Sequence, residues 1–102
     1  MPRLRWTHRS RRDLLEIGRF IARDKPGAAR RWVARLRRRA QQAAEYPDSG
    51  RIVPELGRDD LREVVERGYR IIYRISDREI HVLTVFESHR LLRTRELEES
   101  DS

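Results

Sequence analysis

Apolar residues recur at two different periods along this 102-residue chain, and the change from one to the other divides it in half. Arg3-Leu4-Arg5-Trp6-Thr7 alternates and reads as a short strand. Thr7 or Ser10 then caps a helix running to about Arg23, in which Leu14, Ile17, Gly18 and Ile21 fall on one face at helical spacing. Asp13 and Glu16, in its early turns, are expected to favour the positive end of the helix dipole. Asp24-Lys25-Pro26-Gly27 interrupts the pattern, and Pro26 suits the first turn of a second helix. The stripe of that helix is Ala29, Trp32, Val33, Leu36, Ala40 and Ala43, and so short a link predicts an antiparallel helix hairpin. Tyr46-Pro47-Asp48-Ser49-Gly50, dense in turn formers, ends the helical half.

Beyond it the period is two. Residues 61–66, 69–76 and 79–87 read as strands joined at Arg67-Gly68 and Asp77-Arg78, connections of hairpin length that call for antiparallel pairing. In the middle strand Tyr69, Ile71, Tyr73 and Ile75 point one way and Arg70, Ile72 and Arg74 the other, so one face is expected to be partly cationic. Residues 90–97 read as a short helix or ordered tail, and residues 98–102 as a frayed end. The expected architecture is α+β: a short N-terminal strand and an antiparallel helix hairpin packed on a curved antiparallel sheet of three to four strands. It forms one domain over residues 1–97, since the length excludes separate catalytic and substrate-binding domains.

Composition narrows the partners. Leu, Ile, Val and Phe number 25, above the ~20% level below which a highly charged chain stays disordered. With 40% charged residues the core must be thin, and a partner can complete it. There is no cysteine, which excludes disulfides and thiolate zinc sites, and His8, His81 and His89 lack metal-binding spacing, so no metal and no cofactor is expected. No apolar run approaches the ~18 residues of a membrane span and the N-terminus lacks the apolar core of a signal peptide, so a cytoplasmic protein without membrane contact is expected. Residues 1–45 carry 14 basic and 4 acidic side chains, whereas residues 46–102 carry 10 basic and 13 acidic. A concentrated basic half suits a polyanion or an acidic protein, although Arg31, Arg35 and Arg38 on one helix face also read simply as a solvated surface.

Catalytic templates are scarce: no phosphate-cradling glycine loop and no Gly-x-Ser-x-Gly elbow is present. What remains is metal-free chemistry in which an arginine stabilises a pentavalent phosphate while a carboxylate and an imidazole exchange protons, roles that Arg70, Glu55 and His89 could fill. The plainer reading makes Arg70 a solvated sheet residue, Glu55 a loop acid and His89 a surface residue. Trp32 is either part of the core stripe or a partner anchor, and Trp6 is balanced in the same way. His81, alternating inside a strand, is assigned no function.

Several phrases in fixed order resemble the RelE/ParE superfamily of toxins from type II toxin-antitoxin modules. They are Trp6-Thr7, Asp13-Leu14-Leu15-Glu16-Ile17, Phe20-Ile21-Ala22, Gly50-Arg51-Ile52-Val53-Pro54-Glu55-Leu56, Leu61-Arg62-Glu63, residues 68–75 and residues 80–86. The likeness spans about residues 4–93. It implies a small toxin neutralised by a cognate antitoxin, usually acidic, with operator DNA reached only through that antitoxin. An antitoxin groove is then expected along the helix hairpin, with Trp32, Arg35 and Leu36 as contacts. The superfamily has two branches. ParE-like members inhibit DNA gyrase without chemistry, and the Gly-Arg-Ile-Val-Pro-Glu-Leu phrase looks more like theirs. His89, Arg90 and Arg93 are then the expected target contacts. RelE-like members cleave messenger RNA on the ribosome without a metal, and some carry a Glu, an Arg and a His near Glu55, Arg70 and His89. ParE-like proteins often have a His directly after the last strand, where this chain has Glu87. A non-toxic nucleic-acid-binding module would explain the charge and leave the phrases unexplained.

Overall fold

Thr7 starts the first helix from a position fixed by the sheet. In the computed structural model, which describes residues 2–92 and Leu97, its hydroxyl lies 2.9 Å from the Val82 carbonyl and accepts from the Ser10 amide at 3.2 Å. A single capped residue therefore ends strand β1 (Arg3–Trp6) and begins helix α1 (His8–Ala22). After a turn at residues 23–25, Pro26 opens helix α2 (Pro26–Glu45), as its fixed φ favours. A 3-10 turn at Pro47–Ser49 leads to strands β2 (Arg51–Ile52), β3 (Leu61–Glu66), β4 (Tyr69–Ile75) and β5 (Glu79–Glu87).

The sheet has five strands in the order β1-β5-β4-β3-β2. Two of its features depart from the sequence-based expectation. The strand β2 is only two residues long, too short to leave an alternation, and β1 pairs with β5 in parallel, Leu4 opposite Ile80 and Trp6 opposite Val82. A pairing across more than seventy residues has no local sequence signature. It makes β5 an inner strand, which explains its continuous buried run from Val82 to Phe86. The β3–β4 turn follows expectation: Arg67 and Gly68 both have positive φ, 49° and 87°, as a two-residue turn matched to strand twist requires.

The sheet carries apolar residues on both faces. Toward the helices lie Leu14, Leu36, Ala40, Ala43, Ala44, Val64, Ile71, Tyr73, Ile80, Val82 and Val85. Toward the other side lie Val53, Leu61, Ile72, Leu83, Phe86 and Leu92, with Leu56 and Leu97 at the margin. A bulge on β5 serves both: Ile72 faces Thr84 and Tyr73 faces Val82, leaving Leu83 as the extra residue, so that across it Val82 and Val85 on one face and Leu83 and Phe86 on the other are three apart. The helices approach closely at Gly18, where an added Cβ would lie 3.3 Å from Val33 Cγ2. Gly50 is held more tightly still, because a Cβ there would meet the Tyr73 hydroxyl at 2.2 Å.

Three local expectations are corrected. Asp13 sits in the second turn of α1, past the reach of the dipole; its carboxylate instead accepts from the Thr84 hydroxyl at 2.6 Å and the Val85 amide at 3.0 Å, tying α1 to β5. The β4 face holding Arg70 and Ile72 is not a solvated cationic surface, since both residues are buried. Leu36, expected in a partner groove, has 0% exposure and belongs to the core, while the adjacent Arg35 points to solvent. Truncating Leu36 to Ala is accordingly expected to cost about 2–5 kcal/mol of unfolding free energy, and Arg35→Ala less than about 0.5 kcal/mol, in urea denaturation. Equal effects of the two would contradict this division between core and surface.

Candidate functional site

Two surfaces concentrate the residues singled out by sequence, one on the helix hairpin and one on the far face of the sheet. On the hairpin, Leu14, Leu15, Ala22, Val33 and Ala34 floor an open groove of about 650 Å³ between α1 and α2. Arg11, Arg19, Arg30 and Arg37 edge it, so apolar floor and cationic rim coincide. Trp32 lies on the opposite flank of α2. It is half-buried, meets the Tyr69 ring edge-on at 6.2 Å, and has the Arg67 guanidinium 5.6 Å above it. The strained β3–β4 turn thus places a cation over the indole. Arg31 and Arg35 share the small hollow beside Trp32 and Arg67.

On the far face, Arg70 projects from β4 into a nest of carboxylates with only 5% of its side chain exposed. Its Nη1 and Nη2 donate to the two Glu55 oxygens at 2.8 Å each, its Nε donates to Glu63 Oε1 at 2.9 Å, and Nη2 also donates to that Glu63 oxygen. Nη1 makes a further bond to the Arg90 carbonyl at 3.0 Å. A guanidinium has five N–H groups, and five bonds are accounted for. Glu63, fully buried on β3, takes the Arg51 guanidinium on its second oxygen. Glu55 reaches the cluster because Val53 is buried and the loop after it is tightened by bonds from Leu56 and Gly57 to the Val53 carbonyl, with Gly57 at a φ of 64°. The second Glu55 oxygen also accepts from the Leu92 amide at 2.9 Å.

The electrostatics follow from these contacts. Hydrogen bonds from Arg70 hold the Glu55 carboxyl at about 2, against a smaller opposing effect of burial and with help from the Leu92 amide. The same bonds raise the Arg70 guanidinium above its ordinary value. Glu55 is therefore an ionised acceptor throughout the neutral range, not a group ready to exchange a proton. Arg70 also lies 5.1 Å from the Phe86 ring, and Arg90 lies at the same distance.

Glu55, Arg70 and His89 do line one hollow of about 370 Å³, together with Arg51, Pro54, Ser88, Arg90 and Leu91. The proximity expected from sequence is present, but the bonding differs. Arg70 and Glu55 satisfy one another, while the His89 side chain is 75% exposed and lies 3.6 Å from the Glu87 carboxylate. Arg90 is exposed beside it, and Arg93 lies outside the described residues. Sequence reasoning missed Glu63 and Arg51. The signal for Glu63 was available: a two-residue turn at Arg67-Gly68 sets Glu63 opposite Ile72 and hence diagonal to Arg70 on one face. Among the described residues no group of three or more His, Asp or Glu could hold a metal, and no helix is long and apolar enough to cross a membrane.

Known proteins match this chain in sequence and in fold. The profile of the ParE toxin of type II toxin-antitoxin systems, parDE, matches residues 4–92. The chain belongs to that family. Y4kP of Sinorhizobium fredii, a protein named as a toxin, is 47% identical over 90 residues, spanning 85% of this chain and 88% of its own. Toxin RelE2 of Caulobacter vibrioides is 37% identical over 92 residues, covering 89% of this chain and all of that one. A chain from the chromosomal ParDE system of P. aeruginosa superposes with a TM-score of 0.73 over 85% of this chain and 96% of its own, at 21% identity, and so shares the fold. This ParE-family chain is thus the toxin of a type II module, and a cognate antitoxin is the partner its family implies.

The Glu55 site gives the toxin a defined acid response. A carboxyl whose folded value lies below its unfolded one stabilises the fold above about pH 4.5 and loses that contribution as pH falls toward 2. Because Glu55 is partly exposed, solvent screening keeps the loss to about 1–2 kcal/mol, well under the full value of about 1.4 kcal/mol per pKa unit. Urea midpoints measured from pH 5 to pH 2 should therefore fall less steeply in Glu55→Gln than in the parent chain; parallel slopes would show that Glu55 is not held ionised.

Proposed function

We propose that this toxin arrests growth by binding DNA gyrase in the cytoplasm without bond-making chemistry, as a ParE-like inhibitor, and that its antitoxin is acidic. The observation that carries this reading is the saturation of Arg70. A phosphate-stabilising arginine must offer N–H groups to the developing charge, and all five here are already bonded within the protein. Glu55, held at about 2, is equally ill suited to give or take a proton near neutrality. Binding then falls to exposed side chains, and His89 and Arg90 stand at the rim of the same hollow, with Arg93 three residues further on.

For the antitoxin, the hairpin groove supports a segment that buries apolar side chains between α1 and α2 and presents carboxylates to the arginine rim. Trp32 and Arg35 extend that surface across α2, and Leu36 supports it from within the core. Operator DNA is reached through the antitoxin alone. The Trp32→Ala, Arg35→Ala double variant should weaken antitoxin binding by about tenfold or more in calorimetry, the range expected for loss of an aromatic anchor. Undiminished affinity would move the contact wholly into the α1–α2 groove.

One observation favours a second reading, ribosome-dependent cleavage of messenger RNA: Glu55, Arg70 and His89 share a hollow. Induction without antitoxin, with pulse-labelling of thymidine and methionine in the first minutes, separates the two. Early loss of thymidine incorporation with translation intact is the expected result, abolished by the His89→Ala, Arg90→Ala, Arg93→Ala triple variant. Early loss of methionine incorporation that Arg70→Ala abolishes would replace gyrase inhibition by cleavage.

A further inference from the structure

Leu91 and Leu92 are adjacent and have opposite fates. Leu92 is 9% exposed and packs with Val53, Leu61, Ile72, Leu83 and Phe86, whereas Leu91 is 76% exposed, more than any other large apolar side chain among the described residues. A single exposed leucine is ordinarily unremarkable on a protein surface. This one differs in how its backbone is held. The carbonyl before it, on Arg90, accepts from Arg70 Nη1 at 3.0 Å, and the amide after it, on Leu92, donates to Glu55 Oε2 at 2.9 Å. Both peptide units flanking Leu91 are thus bonded to one ion pair, whose arginine is buried. Upstream, the Ser88 amide donates to the Gly68 carbonyl at 2.7 Å and the Arg90 amide to the Glu87 carbonyl at 3.0 Å, so the segment is tied down from β5 onward.

We propose that Leu91 is the apolar anchor with which this toxin engages its target, and that Glu55 and Arg70 are positioning residues that aim it. The inference rests on the reading of residues 89–91 as a target surface and deepens it. Holding the backbone on both sides fixes which leucine turns inward, so Leu92 fills the far-face core and Leu91 must point away from it. An anchor presented on a rigid backbone loses little conformational freedom on binding. Its surroundings describe the partner. Arg51, His89 and Arg90 line the same hollow as Leu91, so the matching site is an apolar pocket on a protein, bordered by carboxylates. A nucleic-acid backbone would use the cations and gain nothing from the leucine.

The arrangement also gives the buried cluster a use. Arg70 and Glu55 spend bonds on the backbone of the tail that a purely internal ion pair would keep to itself. Their effect on the target is indirect, through the direction in which Leu91 emerges.

The test is a variant series read by growth arrest at graded induction, by antitoxin affinity, and by hydrogen exchange of the Leu92 amide in the purified full chain. Leu91→Ser should weaken arrest at least tenfold, with antitoxin affinity and thermal midpoint unchanged, and Leu91→Met should restore most of it. Glu55→Gln should accelerate exchange at Leu92 and weaken arrest while antitoxin binding persists. Full arrest by Leu91→Ser alongside loss in His89→Ala, Arg90→Ala would overturn the anchor and indicate a purely cationic contact, such as one with nucleic acid, leaving the target surface in place. Full arrest by both variants would remove the target surface itself. Faster exchange at Leu92 with undiminished arrest in Glu55→Gln would overturn the positioning role alone.

Discussion

A guanidinium taken out of water must recover its hydration from the protein, and Arg70 does so completely. Removing an ion from solvent costs several kcal/mol even after relaxation, and only close, well-bonded counter-ions offset it. Glu55 and Glu63 supply two, the Arg90 carbonyl supplies the remaining acceptor, and Arg51 balances the second negative charge. Those partners come from β2, the loop after it, β3 and the segment after β5. Every one of these pieces must be in place for the cluster to be satisfied, and a half-satisfied cluster is worse than none. The far face of the sheet is therefore organised around one arginine, with Val53, Ile72, Phe86 and Leu92 packed beside it.

This gives the two faces of the sheet different kinds of order. The near face is held by a conventional apolar interface with the helix hairpin, in which Leu36 and the small residues Ala40, Ala43 and Ala44 let α2 lie close on the sheet. The far face is closed by a loop and the beginning of the tail, with the helical residue Leu97 at its margin. Apolar contact alone would leave such short segments poorly determined, since a two-residue strand and an irregular loop bury little surface. Directional ion pairing compensates by specifying where each segment ends.

The same separation assigns the chain's charges. Arg11, Arg19, Arg30 and Arg37 rim an apolar groove on the near side, whereas Arg70 is consumed internally and Arg51 pairs with Glu63 while staying 64% exposed. Counting arginines along the sequence does not distinguish the two uses. The superposition with a ParDE chain at 21% identity shows that this scaffold tolerates wide change in sequence.

Local physics made much of the fold legible. Helical spacing in α1 and α2, Pro26 at a helix start, alternation in β3, β4 and β5, and the Arg67-Gly68 turn are each decided within a few residues, and each appears where the pattern places it. The ordered phrases likewise carried the family. What the tertiary structure alone decided are features that join distant segments. The parallel pairing of β1 with β5, the diversion of Asp13 from its helix end to Thr84, and the convergence of Glu55, Glu63 and Arg51 on Arg70 all bring together residues with no local reason to meet. Whether an arginine is solvated, catalytic or structural depends on which carboxylates reach it. That is a property of the folded chain and of the dielectric around the group, which the order of residues specifies only through the fold.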